Sequence, residues 1–286
     1  MATLKPAESY PETDRGGSTG LPTRFGMPKW TSIAIGLLLL VLAVNGLVRM
    51  DISWDRIGEG PANIWNFITG AFPPNLERAP NLAEAMLETL EMAIIGTGLG
   101  VALSVPAAIL AAQNTTPYAP IGVAMRFILT VLRSIPELVW ALIFVMAVGL
   151  GPLAGILALT VDVLGFAGRF FAERIEEVER GPIDALRSTG ASGITVVATA
   201  VLPASFASFT ATGLYTLEKS IRGATILGMV GAGGIGMELT PAFTLRQFDT
   251  ALTIIIMILV VVFLAEQLSS LVRRKMLGAD QLQRAV

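Results

Sequence analysis

Three ionisable side chains share one apolar stretch of this sequence, residues 204–237. Glu218 and Arg222 are four positions apart, so they can form an ion pair on one face of a helix. Lys219 then leaves the stretch with one net positive charge. Charged groups at membrane depth face either a bundle interior or a water-filled path. The pattern therefore indicates a pathway that admits an anion or, equally, a structural ion pair.

The same two interpretations apply to ionisable residues in two other apolar stretches. Arg133 and Glu137 flank Pro136, where a helix is expected to bend. Asp162 lies in a further apolar stretch, with no local partner, and is either paired across helices or neutral. The candidate pathway residues on this evidence are Arg133, Glu137, Glu218, Lys219 and Arg222.

A run of glycines follows the Lys219 region. Its spacing, Gly-Ala-Gly-Gly-Ile-Gly over residues 231–236, matches that of a dinucleotide-binding loop. That loop requires a preceding strand and a βαβ unit, which does not fit between membrane spans. Glycines in a span instead permit close helix packing and irregular backbone. We predict a re-entrant or gating segment with Gly231, Gly233, Gly234 and Gly236.

No combination of residues typical of an active site is visible. The chain has no cysteine and no histidine, which removes thiolate ligands and the commonest general base. The carboxylates are scattered among apolar stretches, and no GxxxxGK[ST] loop is present. We therefore expect a protein that is not an enzyme, and that holds no metal and no cofactor of its own.

The composition indicates an all-α, polytopic membrane protein. The 286 residues are 53% hydrophobic and only 15% charged, and mean hydropathy is +0.68. A soluble domain of this size needs many more charges on its surface. About six transmembrane helices are expected, because apolar runs of spanning length recur along the chain. They lie near residues 30–48, 88–112, 136–150, 153–171, 204–222 with a re-entrant piece at 223–237, and 251–272, all within a permease domain at 30–275.

Outside these spans, three segments have distinct predicted roles. Residues 1–29 are rich in Pro, Gly, Ser and Thr, which predicts a disordered tail. Residues 276–286 form a second tail. Between the first two spans, Ile64, Trp65, Ile68 and Phe72 share one helical face, which predicts a short helix on the outer membrane surface. Packing of that face against neighbouring protein is an equally good interpretation.

The distribution of Lys and Arg predicts the orientation. Six spans place both termini on the same side, and the side richer in Lys and Arg is cytoplasmic. The opposite side has Arg49, Arg56, Arg78 and Arg246. The side predicted to be cytoplasmic has Lys5, Arg15, Arg24, Lys29, Arg169, Arg174, Arg180, Arg187, Arg273, Arg274, Lys275 and Arg284.

The polar connection at residues 181–203 lies on that cytoplasmic side. Pro182 suits the first position of a helix, and Asp184 then lies in the first turn, where the helix dipole favours negative charge. Gly190 is expected to end this short helix. A second short segment, 194–200, leads to Leu202-Pro203, where a new helix begins. The connection therefore predicts a helix–turn–helix surface, although an ordinary amphipathic connection has the same features.

The spacing of this connection resembles the EAA loop of ABC importer permeases. Asp184 and Ala185 occupy its first two places, Gly190 falls six residues after Asp184, and Leu202-Pro203 closes the pattern. Leu186 replaces the usual second alanine, and Ala200 replaces the usual isoleucine. The resemblance implies a coupling helix that docks into a cytoplasmic ATPase. The coupling residues it implies are Asp184, Ala185, Leu186, Arg187, Gly190 and Ala191.

Four further stretches look like the phosphonate ABC transporter permease. They are residues 88–93, 133–142, 149–155 and 224–236, and the resemblance extends over roughly residues 86–275. The chain departs from the family at Asp162 and Arg169, in a stretch where the family often has histidine and lysine.

The resemblance implies a type I, MetI-like permease in the cytoplasmic membrane. Its expected partners are the lipid bilayer, a second copy of the chain, two cytoplasmic ATP-binding subunits that hold ATP and Mg²⁺, and an extracytoplasmic phosphonate-binding protein. No nucleic-acid partner is expected. The substrate is phosphonate or a related oxyanion, phosphite or phosphate. The alternatives are a permease for another small solute, a stand-alone channel or secondary transporter, and a membrane-embedded enzyme.

Overall fold

The computed structural model of the protein describes residues 30–49 and 54–283, and over these ranges every regular element is helical. Five of the described helical segments are long and apolar enough to cross a membrane, or six if one sharply bent pair counts as a single span. The helices are α1 (Trp30–Arg49), α2 (Trp54–Ala71), α3 (Ala79–Ala111), α4 (Ala119–Ser134), α5 (Glu137–Val148), α6 (Pro152–Glu176), α7 (Arg180–Ser188), α8 (Gly193–Val196), α9 (Leu202–Gly228), α10 (Gly236–Thr244) and α11 (Phe248–Gln283).

The described chain divides into two units between Ala62 and Asn63, within α2. The first unit contains α1, an apolar helix with no charged residue before Arg49 and no buried side chain. Such a surface suits contact with lipid on all sides. The second unit, from Asn63 onwards, contains α3 to α11 and the buried core.

Glycines bring α3 and α6 into close contact at the centre of the second unit. A Cβ atom added at Gly96 would lie 2.8 Å from Cβ of Leu159, and one at Gly100 would lie 2.6 Å from Cβ of Val163. Real Cβ atoms do not approach each other so closely. Small residues of this kind allow helix backbones to pack tightly in a membrane, where the hydrophobic effect does not drive helices together.

The bent pair is α4 and α5, whose axes differ by 91°. Pro136 disfavours helical backbone at the residue before it, and Ile135 is extended, with φ −89° and ψ 122°. Trp140 Nε1 donates a hydrogen bond to the Leu132 carbonyl oxygen at 3.3 Å, which ties the two helices across the bend. The 12 residues of α5 reach about 18 Å, so this span needs the contribution of α4.

Several helix boundaries differ from the sequence-based prediction. The helix predicted from 88 begins at Ala79, because Pro80 is accommodated in its first turn. The span predicted at 204–222 continues to Gly228, so the irregular piece is only residues 229–235 instead of 223–237. The last helix extends beyond 272 to Gln283 and takes in most of the predicted tail at 276–286. The predicted tail at 1–29 and residues 284–286 lie outside the described residues.

The predicted outer-surface helix corresponds to the second half of α2. Ile64, Trp65 and Ile68 are exposed on it, and Phe72 is exposed just after its end. Phe67 of the same helix instead packs edge-on against Phe248, with ring centroids 5.1 Å apart. The predicted face is therefore open, and a different side of α2 contacts the protein.

Candidate translocation and coupling sites

An ion pair joins α6 to α9 within the apolar part of the protein. Lys219 Nζ donates to Asp162 Oδ2 at 2.7 Å. The Asp162 side chain is 12% exposed and the Lys219 side chain is 35% exposed. Asp162 is thus paired across helices, which was one of the two predicted alternatives. The stretch 204–237 keeps the net positive charge counted from its sequence, but a carboxylate of α6, 57 positions away from Lys219, balances the charge of that side chain.

A second ion pair lies on the same turn of α9. Arg222 Nη2 donates to Glu218 Oε1 at 2.8 Å, so the pairing predicted from their spacing is confirmed. The Glu218 side chain is 11% exposed and the Arg222 side chain is 52% exposed. In both pairs the carboxylate is the less exposed partner, and the cation reaches the surface.

Glu137 is the first residue of α5 and packs against α9. A Cβ atom at Gly223 would lie 2.8 Å from Glu137 Oε1, so the carboxylate fits only because residue 223 has no side chain. Glu137 Oε2 is buried, and it has no hydrogen-bond partner among the described residues. Acidic groups of α5, α6 and α9 therefore lie close to the part of α9 that carries Lys219 and Arg222.

Arg133 lies near this region on a strip of aromatic rings, formed by Phe166 and Phe170 of α6 and Tyr215 of α9. Its guanidinium carbon is 5.9 Å from the Phe170 ring centroid, while Lys219 Nζ is 5.5 Å from the Phe166 centroid. The two Phe rings are 4.6 Å apart. Cations over ring faces are attracted by the ring quadrupole. The aromatic strip therefore connects two of the cations predicted to line a pathway.

The predicted glycine segment forms a compact turn at residues 229–235, between α9 and α10. The backbone has positive φ at Gly231 (91°), Gly233 (92°) and Gly234 (73°), a conformation that side chains with a Cβ rarely adopt. Gly236 begins α10, where a Cβ would lie 2.8 Å from Cα of Gly228. The four glycines thus allow the chain to reverse within the bundle.

Hydrogen bonds from distant residues hold this turn in place. The Gly234 N–H donates to Glu88 Oε1 at 3.1 Å, and the Ile235 N–H donates to Thr89 Oγ1 at 2.8 Å. Irregular backbone at membrane depth requires such partners, because lipid offers none. Glu88 and Thr89 were not among the predicted site residues. The only signal was that both lie in the stretch 88–93, which resembles the phosphonate permease.

The predicted coupling connection begins with α7, whose exposed face carries Asp184, Ala185 and Arg187. Leu186 packs instead against the buried core that includes Ile183. The helix begins at Arg180, two residues before the predicted start at Pro182. The polar face of α7 is therefore available for docking, whereas Leu186 holds the helix to the protein.

Gly190 ends this helix with φ at 82°. Its N–H donates to the Arg187 carbonyl at 3.0 Å, and the Ala191 N–H donates to the Leu186 carbonyl at 3.3 Å. Ala191, like Leu186, packs against the core. A helix–turn–helix arrangement follows, as predicted, because Ser192 Oγ accepts a hydrogen bond from the Thr195 N–H and caps α8.

The second part of the connection differs from the prediction. Residues 194–200 were expected to form a separate short segment before a new helix. Instead, α8 continues through a π-helical segment, Val197–Val201, directly into α9. The helical path that begins at α8, after the turn at Gly190, therefore continues without a break into the helix that carries Lys219 and Arg222.

Within residues 30–49 and 54–283, no group of three or more Asp or Glu side chains is arranged to hold a metal ion.

Comparison with known proteins identifies the family that shares this architecture. Residues 104–278 match the profile of the family described as "binding-protein-dependent transport system inner membrane component". The chain is 35% identical to the phosphite transport system permease protein PtxC of Stutzerimonas stutzeri, over 94% of this chain and 95% of that one. It is 34% identical to the phosphate-import permease protein PhnE of Mycolicibacterium smegmatis, over 96% of this chain and 49% of that longer protein.

The fold is also similar to that of a solved transporter. A chain of the MetNI methionine ABC transporter, in an inward-facing crystal form, superposes with a TM-score of 0.63 at 22% identity, over 71% of this chain and 99% of that one. This likeness and the family match confirm the predicted all-α, MetI-like membrane fold. The chain belongs to the family of binding-protein-dependent transport system inner membrane components, the permeases of ABC importers.

Proposed function

We propose that this chain is the transmembrane permease of an ABC importer for a phosphorus oxyanion: phosphonate, phosphite or phosphate. The observation that carries the proposal is the similarity to the phosphite permease PtxC over nearly the full length of both chains. The exposed Arg222 and the half-buried Lys219, both within the apolar part of the protein, support a pathway that admits an anion.

The proposed complex contains two copies of this chain, two cytoplasmic ATP-binding subunits and an extracytoplasmic binding protein for the oxyanion. Both termini and α7 lie in the cytoplasm, since the side richer in Lys and Arg is cytoplasmic. ATP and Mg²⁺ bind to the partner subunits. The exposed residues Asp184, Ala185 and Arg187 supply the surface to which an ATP-binding subunit docks.

The structure suggests how α7 acts on the pathway. Closure of the ATP-binding subunits moves α7, and the continuous path through α8 and the π-helical segment transmits that motion to α9. The 27 residues of α9 are about 40 Å long. They carry Glu218, Lys219 and Arg222 and end at the glycine turn, which is hydrogen-bonded to α3 and to the α5–α6 connection. Movement of α9 thus changes the lining of the pathway and, at the same time, strains the glycine turn.

The test begins with co-purification of the tagged chain from its host membrane. An ATP-binding subunit is expected to accompany it. The complex is then reconstituted in vesicles with the binding protein, and uptake of phosphite, methylphosphonate, phosphate and D-methionine is measured with and without ATP. ATP-dependent uptake of a phosphorus compound supports the proposal. Uptake of D-methionine alone would assign another small solute, and uptake by the chain without partners would indicate a channel or secondary transporter.

A further inference from the structure

Three cationic side chains follow one another through the apolar part of the protein. On α9, Arg222 lies about one helical turn beyond Lys219 and is the nearer of the two to the glycine turn, residues 229–235. On α6, Phe166 and Phe170 follow Asp162 by one and two turns, on the side of α7. Because Lys219 pairs with Asp162 and Arg133 lies over Phe170, the order from the glycine turn towards α7 is Arg222, Lys219, Arg133.

All three cations reach the surface although they are at membrane depth. The exposed fraction is 52% for the side chain of Arg222 and 35% for that of Lys219, and Arg133 is exposed as well. A charged group that faces lipid is strongly unfavourable, so such groups face a water-filled path or a second protein. The exposed sides of these cations therefore face either a water-filled path or a second protein chain, and not lipid.

Two of the cations have a largely shielded carboxylate as their partner. Asp162 and Glu218 accept charge-assisted hydrogen bonds at 2.7 Å and 2.8 Å. These are the bonds that a phosphorus oxyanion also forms with ammonium and guanidinium groups. Arg133 differs, since within residues 56–275 it forms no salt bridge and lies over an aromatic ring.

We propose that Arg222, Lys219 and Arg133 are successive exchange sites for the transported oxyanion, and that Glu218 and Asp162 hold the first two cations between passages. The proposal rests on the proposed function, which supplies the anion. The incoming oxyanion takes the place of Glu218 and then of Asp162, and finally binds Arg133 without displacing a carboxylate. No covalent bond forms or breaks.

The exchange keeps binding weak at each step. An anion that replaces another anion as the partner of a cation gains little net free energy, because the bond formed resembles the bond lost. A conducting pathway needs binding that is favourable enough for entry and weak enough for release. Removal of Asp162 should therefore trap the anion at Lys219, whereas removal of Lys219 should abolish that site.

The experiment compares Asp162→Asn, Lys219→Met and the double variant in the reconstituted complex. Equilibrium binding of radiolabelled phosphite is measured on the purified complex without binding protein, and the maximal rate of phosphite uptake is measured in vesicles. We expect Asp162→Asn to bind phosphite at least about tenfold more tightly and to transport it at least about tenfold more slowly. Lys219→Met and the double variant should bind no more tightly than wild type and transport equally poorly.

The double variant separates this proposal from a structural role. A purely structural ion pair predicts that the double variant, which buries no unpaired charge, recovers wild-type uptake, and that result would overturn the proposal. Unchanged phosphite binding by Asp162→Asn would overturn it too. Glu173→Gln is the control, because its carboxylate also pairs with a cation at 2.7 Å, but within a single helix and away from the three proposed exchange sites.

If Asp162→Asn does not reach the membrane, Glu218→Gln, Arg222→Gln and their double variant provide the same comparison on α9 alone, with the same expected results.

The failure of the proposed function is recognisable separately. If the wild-type complex takes up D-methionine but no phosphorus compound, both the proposed substrate and the proposed exchange sites are wrong. If the wild-type complex takes up phosphite and the variants bind and transport it as the wild type does, only the proposed exchange sites are wrong.

Discussion

At the scale of single residues, the close approach of Glu137 to α9 depends on a missing side chain. Gly223 leaves the space that the Glu137 carboxylate occupies, and a Cβ atom there would be 2.8 Å from Oε1. This contact fixes the start of α5 against the turn of α9 that carries Arg222. The position of a buried carboxylate is thus controlled from the neighbouring helix.

Substitution of Gly223 should therefore disturb the pathway. We expect Gly223→Val to displace the Glu137 carboxylate and to lower oxyanion uptake by at least about tenfold, because overpacking a tight contact destabilises by about 1–3 kcal/mol. Gly213→Ala is the control on the same helix, since the added Cβ would be 3.8 Å from Val101, an ordinary contact. The measurement is oxyanion uptake in vesicles by each variant, normalised to the amount of permease. Equal uptake by the two variants would contradict the role assigned to Gly223.

A second residue-scale prediction concerns Thr89. Its hydroxyl accepts the Ile235 N–H at 2.8 Å and donates to the Ala85 carbonyl at 2.9 Å. We expect Thr89→Val to destabilise the permease by about 1–3 kcal/mol, because a buried N–H loses its partner, and Thr89→Ser to restore most of the loss. Thermal unfolding in detergent measures the change. Thr130→Val serves as control, because the exposed Thr130 hydroxyl bonds only within its own helix.

The residue-scale contacts were predictable only where the partners are close in the sequence. Glu218 and Arg222 are one helical turn apart, so their spacing alone predicted the pair. Lys219 and Asp162 lie on different helices, and nothing in the local pattern of either indicates which helix faces it. The same holds for Glu88 and Thr89, whose partners in the glycine turn are 146 positions away.

At the scale of elements, α7 and the turn after it are the parts that meet a partner subunit. Gly190 has φ at 82° and is exposed, so its conformation, not lack of space, demands glycine. The sequence predicted this turn from the glycine and its spacing. It did not predict that α8 continues into α9, because a π-helical segment has no distinctive composition.

Changes in this element should uncouple transport from ATP hydrolysis. We expect Gly190→Val to strain the turn by about 1–3 kcal/mol, and Ala185→Trp to block close approach of an ATP-binding subunit. Both variants should insert normally, but their complexes should lose the stimulation of ATP hydrolysis by loaded binding protein. Gly181→Ala is the control, since Gly181 lies within α7 with open space around it. Full stimulation in both variants would show that the connection does not couple.

At the scale of the whole molecule, composition and charge predicted most of the architecture. Apolar runs gave the spans, because length and hydropathy determine which helices cross a bilayer. The packing of the spans was not predictable, since apolar helices in lipid look alike from composition. Which helices touch depends on small residues such as Gly96 and Gly100, and their partners Leu159 and Val163 are distant in the sequence.

The orientation of the molecule is testable because the chain has no cysteine. Single variants Arg180→Cys and Arg56→Cys introduce one thiol each on opposite predicted sides. An impermeant thiol reagent added outside intact cells should label residue 56 and spare residue 180, and permeabilised cells should show both. The reverse pattern in intact cells would invert the orientation and remove α7 from the reach of a cytoplasmic subunit.

The tight contact between α3 and α6 has a consequence for how this sequence is able to diverge. Gly96 faces Leu159, and Gly100 faces Val163, at distances that admit only hydrogen. A larger residue at either glycine would meet the Cβ atom of the residue opposite, so it fits only if that residue becomes glycine or the helices separate. The four positions therefore form two pairs that we expect to change together, whereas a Cβ atom added at Gly98 or Gly181 meets no neighbouring atom.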